Sequence, residues 1–212
     1  MRFPELRARR LRKSEQIREM LKETRLGVKD FVCPLFVKEG IYSPVDIESM
    51  PGIQQLPLKD LIKQAKETYN LGIPAVILFG IPSHKDEMGT EAYNEKGIIV
   101  QAIKAVKDAV PELVVIADAC LCEYTSHGHC GVVDKDGNLL NEPTRELLKK
   151  EAYVYAKAGA DIIAPSGMID GMVNVIRKTL DEKGYEDVAI MSYSAKYVSS
   201  FYGPFRDAAE SA

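Results

Sequence analysis

LVVIADA, residues 113–119, carries one charge in seven positions and no alternation of apolar with polar residues. A strand with one wet face alternates every second residue, and a surface helix shows an apolar stripe every three to four. A short run that is apolar throughout fits a strand covered on both faces, as in a parallel sheet flanked by helices. Its single charge, Asp118, stands near the C-terminal end and opens onto ADACLCEYTSHGHCG (117–131). That stretch holds three of the four cysteines and two of the three histidines.

Working outward, four more runs have the same texture: FVCPLFV (31–37), AVILFG (75–80), DIIAPS (161–166) and VAIMSYS (188–194). Between them lie LKDLIKQAKETYNLG (58–72), GIIVQAIKAVKDAV (97–110), TRELLKKEAYVYAKAG (144–159) and DGMVNVIRKTLDEKG (170–184), in which apolar residues recur three and four apart. GVVDKDGNLLN (131–141) has an Asp-Gly turn between short apolar pairs and reads as a small hairpin within a loop.

Five strand–helix repeats suit either a doubly wound sheet or a (β/α)8 barrel. Asp118 and the cysteines follow the third strand, Ser166 ends the fourth and Lys196 follows the fifth. Polar groups at successive C-terminal strand ends are the habit of a barrel active site. No Gly-x-Gly-x-x-Gly follows a strand, which speaks against a dinucleotide fold. A complete barrel takes roughly 250 residues. The expectation is therefore an α/β fold, a TIM-type (β/α)8 barrel cut to about five βα units, with an N-terminal arm over residues 1–30 and a partial barrel over 31–212.

Composition narrows the function classes. A net charge of -3 gives no global pull toward nucleic acid. No apolar run approaches the ~20 residues of a membrane span, and the N-terminus lacks the apolar core of a secretory signal. The expected compartment is the reducing cytoplasm, where clustered cysteines more often bind metal or do chemistry than form disulfides. Arg7, Arg9, Arg10, Arg12 and Lys13 make either a solvated face or an arm over a neighbouring subunit.

Cys120, Cys122 and Cys130 are spaced Cys-x-Cys-x7-Cys. Residues two apart in an extended segment share a side, and Gly128 lets the chain curl back to deliver the third thiol. Spacing alone leaves three readings: an open three-thiolate zinc site, a closed site completed by His127 or His129, or no metal. Cys33, inside a strand, reads as a small buried hydrophobe. Lys196 lies past an apolar strand among Tyr193, Tyr197, Phe201, Tyr202 and Phe205. Desolvation there, or a nearby cation such as Arg206, is expected to lower its proton affinity and favour Schiff-base chemistry with a ketone.

DACLCEYTSHGHCG, ADIIAPSGMIDG and MSYSAKYVSSFYGPFRDAA together resemble the porphobilinogen synthase (5-aminolevulinate dehydratase) family, and the similarity extends over the whole chain. The resemblance implies a (β/α)8 barrel whose N-terminal arm embraces a partner, dimers assembling into octamers, and condensation of two molecules of 5-aminolevulinate to porphobilinogen with loss of two waters. It implies Zn2+ at Cys120, Cys122 and Cys130 with an open fourth position, and in some branches Mg2+ as well. Lys196 matches one of two Schiff-base lysines and Arg206 a receptor for a substrate carboxylate. Asp118, Ser166, Tyr202 and Phe205 match the pocket lining, and the two histidines are not family ligands. Gly167 and Met172 depart from the usual Asp and Arg. The family's second lysine, in a segment resembling VKPG, is expected beyond Ala212. The alternative expectation is a metal- or substrate-binding remnant that assembles without turnover, and a third, weaker one is an unrelated Schiff-base barrel.

Overall fold

The computed structural model describes residues 2–197, 199–200 and 202–211; Phe201 falls outside them. Within the first thirty residues, helix α1 (Glu15–Met20) begins where the Ser14 hydroxyl accepts a hydrogen bond from the Ile17 amide at 3.3 Å. It lies between 3-10 turns at Ala8–Arg12 and Val28–Asp30, and none of the three buries a residue. Leu6, Leu11, Met20 and Leu26 stay exposed, so this segment presents apolar side chains that its own chain does not cover.

The rest is a seven-stranded sheet with its four crossover helices along one face. In chain order the strands are β1 (Val32–Lys38), β2 (Val45–Asp46), β3 (Gln54–Leu56), β4 (Ala75–Ile81), β5 (Val114–Ala119), β6 (Ile162–Pro165) and β7 (Ala189–Ile190). Their spatial order is β2-β3-β1-β4-β5-β6-β7, and every pairing is parallel except β2 with β3. Helices α2 (Leu58–Asn70), α3 (Ile98–Ala109), α4 (Asn141–Ala158) and α5 (Met172–Glu182) fill the crossovers, and α6 (Tyr202–Ala209) follows the last strand. Among the described residues β7 does not pair with β2, so the barrel is not closed.

All five apolar runs contain strands. The last holds only Ala189–Ile190, yet its ladder to β6 continues as Met191 N–H bonds Ile163 O at 2.9 Å and Tyr193 N–H bonds Pro165 O at 3.2 Å. The unpredicted pair β2–β3 is too short and polar to show an apolar run. It is held by register Val45↔Gln55 and by Gln54 Nε2 donating to Asp46 Oδ1 at 2.7 Å.

Both faces of the central strands are covered, which explains their unbroken apolar texture. Leu35, Val37, Val76, Leu78 and Val115 point to the helical layer, where Ile99, Ile103 and Val106 of α3 meet them at helical spacing. Phe36, Ile77, Phe79 and Ile116 point the other way, toward the concave side, where Phe205 and Ala208 of α6 pack on them. Phe79 stacks on Phe36 with ring centroids 5.1 Å apart and meets Phe205 edge-on at 5.1 Å. The hairpin expected at 131–141 is present as a bridge between Val133 and Leu139. Asp134 closes its tip, accepting from the Asp136 and Asn138 amides at 2.9 and 2.8 Å.

Candidate metal centre and active site

The C-terminal ends of β5, β6 and β7 open onto a cavity of about 490 Å³, with Phe36, Ile77 and Phe79 on its apolar wall and Asp118, Ser166 and Lys196 at its polar end. Strand register brings these three together. Asp118 pairs with Ala164 across β5–β6, and Ser166 N–H continues that ladder to Ala119 O at 3.3 Å. The Ser166 hydroxyl donates to Asp118 Oδ2 at 2.9 Å, and Lys196 Nζ donates to Ser166 O at 3.0 Å. Asp118 is buried, and its other oxygen has no hydrogen-bond partner among the described residues. Burial first, and the nearby Glu123 charge second, push its carboxyl well above the usual range against the opposing pull of Ser166 and Lys196.

Lys196 Nζ sits 5.5 Å from the Tyr193 ring centroid and 5.8 Å from that of Tyr202. The expected fall in its proton affinity is not found. Burial acts to lower it, but Coulombic interactions with Tyr202, Cys120, Cys130 and Asp118 act the other way, and the net shift is upward. Arg206 is exposed, its guanidinium 5.2 Å from the Tyr202 ring and outside the cavity lining. Tyr202 and Phe205 do line the cavity.

The chain turns sharply after β5, with Tyr124 and Thr125 amides both bonding Leu121 O at 2.9 Å. Leu121 goes into the core while Cys120 and Cys122 face one another, their sulfurs 3.3 Å apart. Gly128, at φ 71, reverses the chain so that Cys130 returns. The three sulfurs all lie within 4.8 Å of one another. Tetrahedral zinc with Zn–S near 2.3 Å would hold sulfurs ~3.8 Å apart, so the donor set fits such an ion. The thiols of Cys120 and Cys122 are raised, while interaction with both of them lowers that of Cys130. Glu123, fully buried, accepts from Cys122 Sγ at 3.2 Å, and burial pushes its carboxyl up to about 7.

Neither histidine joins that group. His127 Nε2 lies 3.2 Å from Glu87 O, and its Nδ1 accepts from the His129 amide at 3.2 Å. Gly167 is adjacent: a Cβ placed there would lie 3.8 Å from Cys130 Cβ, so a larger side chain at this position would border the thiols. Cys33 is half-buried and packs against the helical layer, away from the trio.

Sequence reading passed over the support behind the thiols. Thr144 of α4 accepts from the Val132 amide at 3.0 Å, just past Cys130, and Glu151 of α4 is fully buried. The available signal was a carboxylate on the buried stripe Leu147, Leu148, Ala152, Tyr155.

The sequence profile described as Delta-aminolevulinic acid dehydratase matches residues 5–212. The protein of that name from Synechococcus elongatus is 58% identical over 212 residues, covering 99% of this chain and 65% of its own length. That from Bacillus subtilis is 55% identical over 205 residues, covering 97% and 63%. The crystal structure of delta-aminolevulinic acid dehydratase (porphobilinogen synthase) from Toxoplasma gondii ME49, in complex with the reaction product porphobilinogen, superposes with a TM-score of 0.93 at 42% identity. It covers 98% of this chain and 59% of that one. The chain thus spans less than two thirds of the length of these relatives.

Proposed function

Because the chain belongs to the delta-aminolevulinic acid dehydratase family, we propose that it carries the metal centre and one Schiff-base lysine of a porphobilinogen synthase. That enzyme joins two 5-aminolevulinate molecules into porphobilinogen with loss of two waters. The observation that carries the reading is the shared mouth. Three thiols within 4.8 Å of one another and an amine held by Ser166 O meet at the ends of neighbouring strands.

In this reading Cys120, Cys122 and Cys130 would hold Zn2+, which would supply Lewis acidity toward one substrate. Lys196 attacks the ketone of a substrate: a C–N bond forms, the carbonyl oxygen leaves as water, and an imine remains. The amine must first shed its proton. Its partial burial acts in that direction. Asp118 and Ser166 orient the bound ketone as one hydrogen-bonded pair, and Tyr202 and Phe205 pack against its carbon chain. Arg206, one ring away from the cavity, receives a substrate carboxylate, for which its fork is suited. Residues 1–30 form an arm that covers its exposed leucines against a second copy, within a homo-oligomer, and residues 31–212 form the catalytic body. A free-thiol centre suits a reducing cytoplasm. No helix among the described residues is long and apolar enough to cross a membrane.

A second reading is that these 212 residues bind metal and one substrate without turnover. The purified chain separates the two. Chelator-sensitive formation of porphobilinogen from 5-aminolevulinate supports the first; borohydride trapping at Lys196 with no product supports the second. An adduct mapped elsewhere, with Lys196 unmodified, removes its role. Unchanged zinc stoichiometry in Cys122→Ser would sink the three-thiolate centre.

A further inference from the structure

Helix α4 lies behind the cysteine loop, and its buried face carries an acid where the pattern calls for an apolar residue. Glu151 has no exposed surface. Burying a carboxylate is costly unless it is used, and a Leu at this helical position would avoid the cost altogether. Glu151 Oε1 accepts from the Tyr155 hydroxyl, one turn along the helix, at 3.0 Å. That hydroxyl is paired at 3.3 Å with the hydroxyl of Tyr124, which sits two residues past Cys122 in the turn bearing two of the thiols. Glu151 Oε2 has no hydrogen-bond partner among the described residues. The acid thus reaches the last residue of segment 120–124 through Tyr155.

A second contact from α4 treats the other arm of the loop similarly. Thr144 Oγ1 receives the Val132 amide at 3.0 Å and donates to Leu140 O at 2.7 Å, fixing the chain just past Cys130. One rigid 18-residue helix therefore backs all three sulfurs.

We propose that Glu151 is a positioning residue for the thiolate centre: through Tyr155 and Tyr124 it fixes the turn that bears Cys120 and Cys122 and so sets the spacing of their sulfurs for a divalent metal ion. The proposal rests on the reading of the three cysteines as ligands. Outer partners that orient metal ligands typically matter by ~10–100-fold in affinity.

The test uses the full 212-residue chain. Zinc affinity is read by competition with a chromophoric chelator. The Co2+ form is read by its thiolate-to-cobalt charge-transfer and ligand-field bands, and the metal-free form by its thermal midpoint. Glu151→Leu is expected to weaken zinc ~10–100-fold and alter the cobalt bands, while the metal-free protein is no less stable, since an unsatisfied buried acid is gone. Glu151→Gln retains an acceptor for Tyr155 and should stay within about 3-fold of wild type, because the hydrogen-bonded string survives. Tyr155→Phe, which keeps the ring, should fall between them and decides the matter if Glu151→Leu does not fold. Variants with wild-type affinity and bands overturn the proposal, whatever happens to their stability. If the wild-type chain binds neither ion through its thiols, the metal reading fails and takes this proposal with it.

Discussion

Gly80 in β4 lets the helical layer approach the sheet, and its replacement by alanine should be expensive. A Cβ built there lies 2.7 Å from the Tyr124 hydroxyl and 2.8 Å from Ile99 Cβ, distances that real Cβ atoms essentially never show. The φ of Gly80 is not in the left-handed region, so the backbone accepts alanine and the penalty is purely one of space. Ile99 is fully buried and its Cβ is tied directly to the backbone of α3, so relief requires that helix to move. Overpacking of this kind costs ~1–3 kcal/mol. Pushing the Tyr124 hydroxyl from Tyr155 leaves buried oxygens unpaired, for about 1–3 kcal/mol more. Reduced freedom of the unfolded chain returns roughly 0.4–1 kcal/mol. The expected net is a loss of about 2–4 kcal/mol, read as a lower urea midpoint at unchanged slope and a thermal midpoint lower by about 5–15 °C. In a Tyr124→Phe background the first clash disappears and the second remains, so the same substitution should cost about 1 kcal/mol less. Gly80→Ala as stable as wild type, or equally damaging in both backgrounds, would refute the reasoning.

Two other outcomes follow from local geometry. Glu39 accepts from the Ser83 amide at 2.9 Å and from its hydroxyl at 2.7 Å, and these bonds hold its carboxyl below the usual range. Its contribution is therefore present above the ordinary carboxylate pKa and lost as pH falls through the lowered folded value. Ser83→Ala should move the Glu39 titration upward in carboxyl NMR, and an unmoved midpoint would deny the hydroxyl its part. Phe205→Ala removes the ring that sits 5.1 Å from Phe79 and 6.0 Å from Phe36. A half-buried ring should cost about 2 kcal/mol, less than the ~3–5 of a fully buried one. Faster amide exchange confined to α6 checks it, and unchanged protection contradicts it.

The strands were legible where both faces are covered, because a run such as AVILFG needs no partner to be recognised. β2 and β3 were not, since a polar two- or three-residue strand exists only by pairing with β1 and with each other. The cysteine cluster and its place at a strand end could be read from spacing. What the thiols do to a lysine 66 to 76 positions away in sequence could not, and the shift at Lys196 came out opposite to the one expected from its aromatic neighbours. Local composition indicates desolvation, whereas the sum of surrounding charges appears only in three dimensions. Glu151 was hidden differently: helical periodicity gives its face, but a single acid among surface acids draws no notice until it is found without solvent.

The hairpin of residues 131–141 has a practical use. Its turn satisfies its own main chain through Asp134, and a Cβ at Gly137 would meet nothing within 4 Å. The exposed tip at Lys135 can therefore carry a dye or a short inserted tag at little cost to folding. Its base continues directly from Cys130 and is anchored to Thr144, so a probe at that address reports on the returning arm of the metal loop from a distance, in real time and without modifying a ligand.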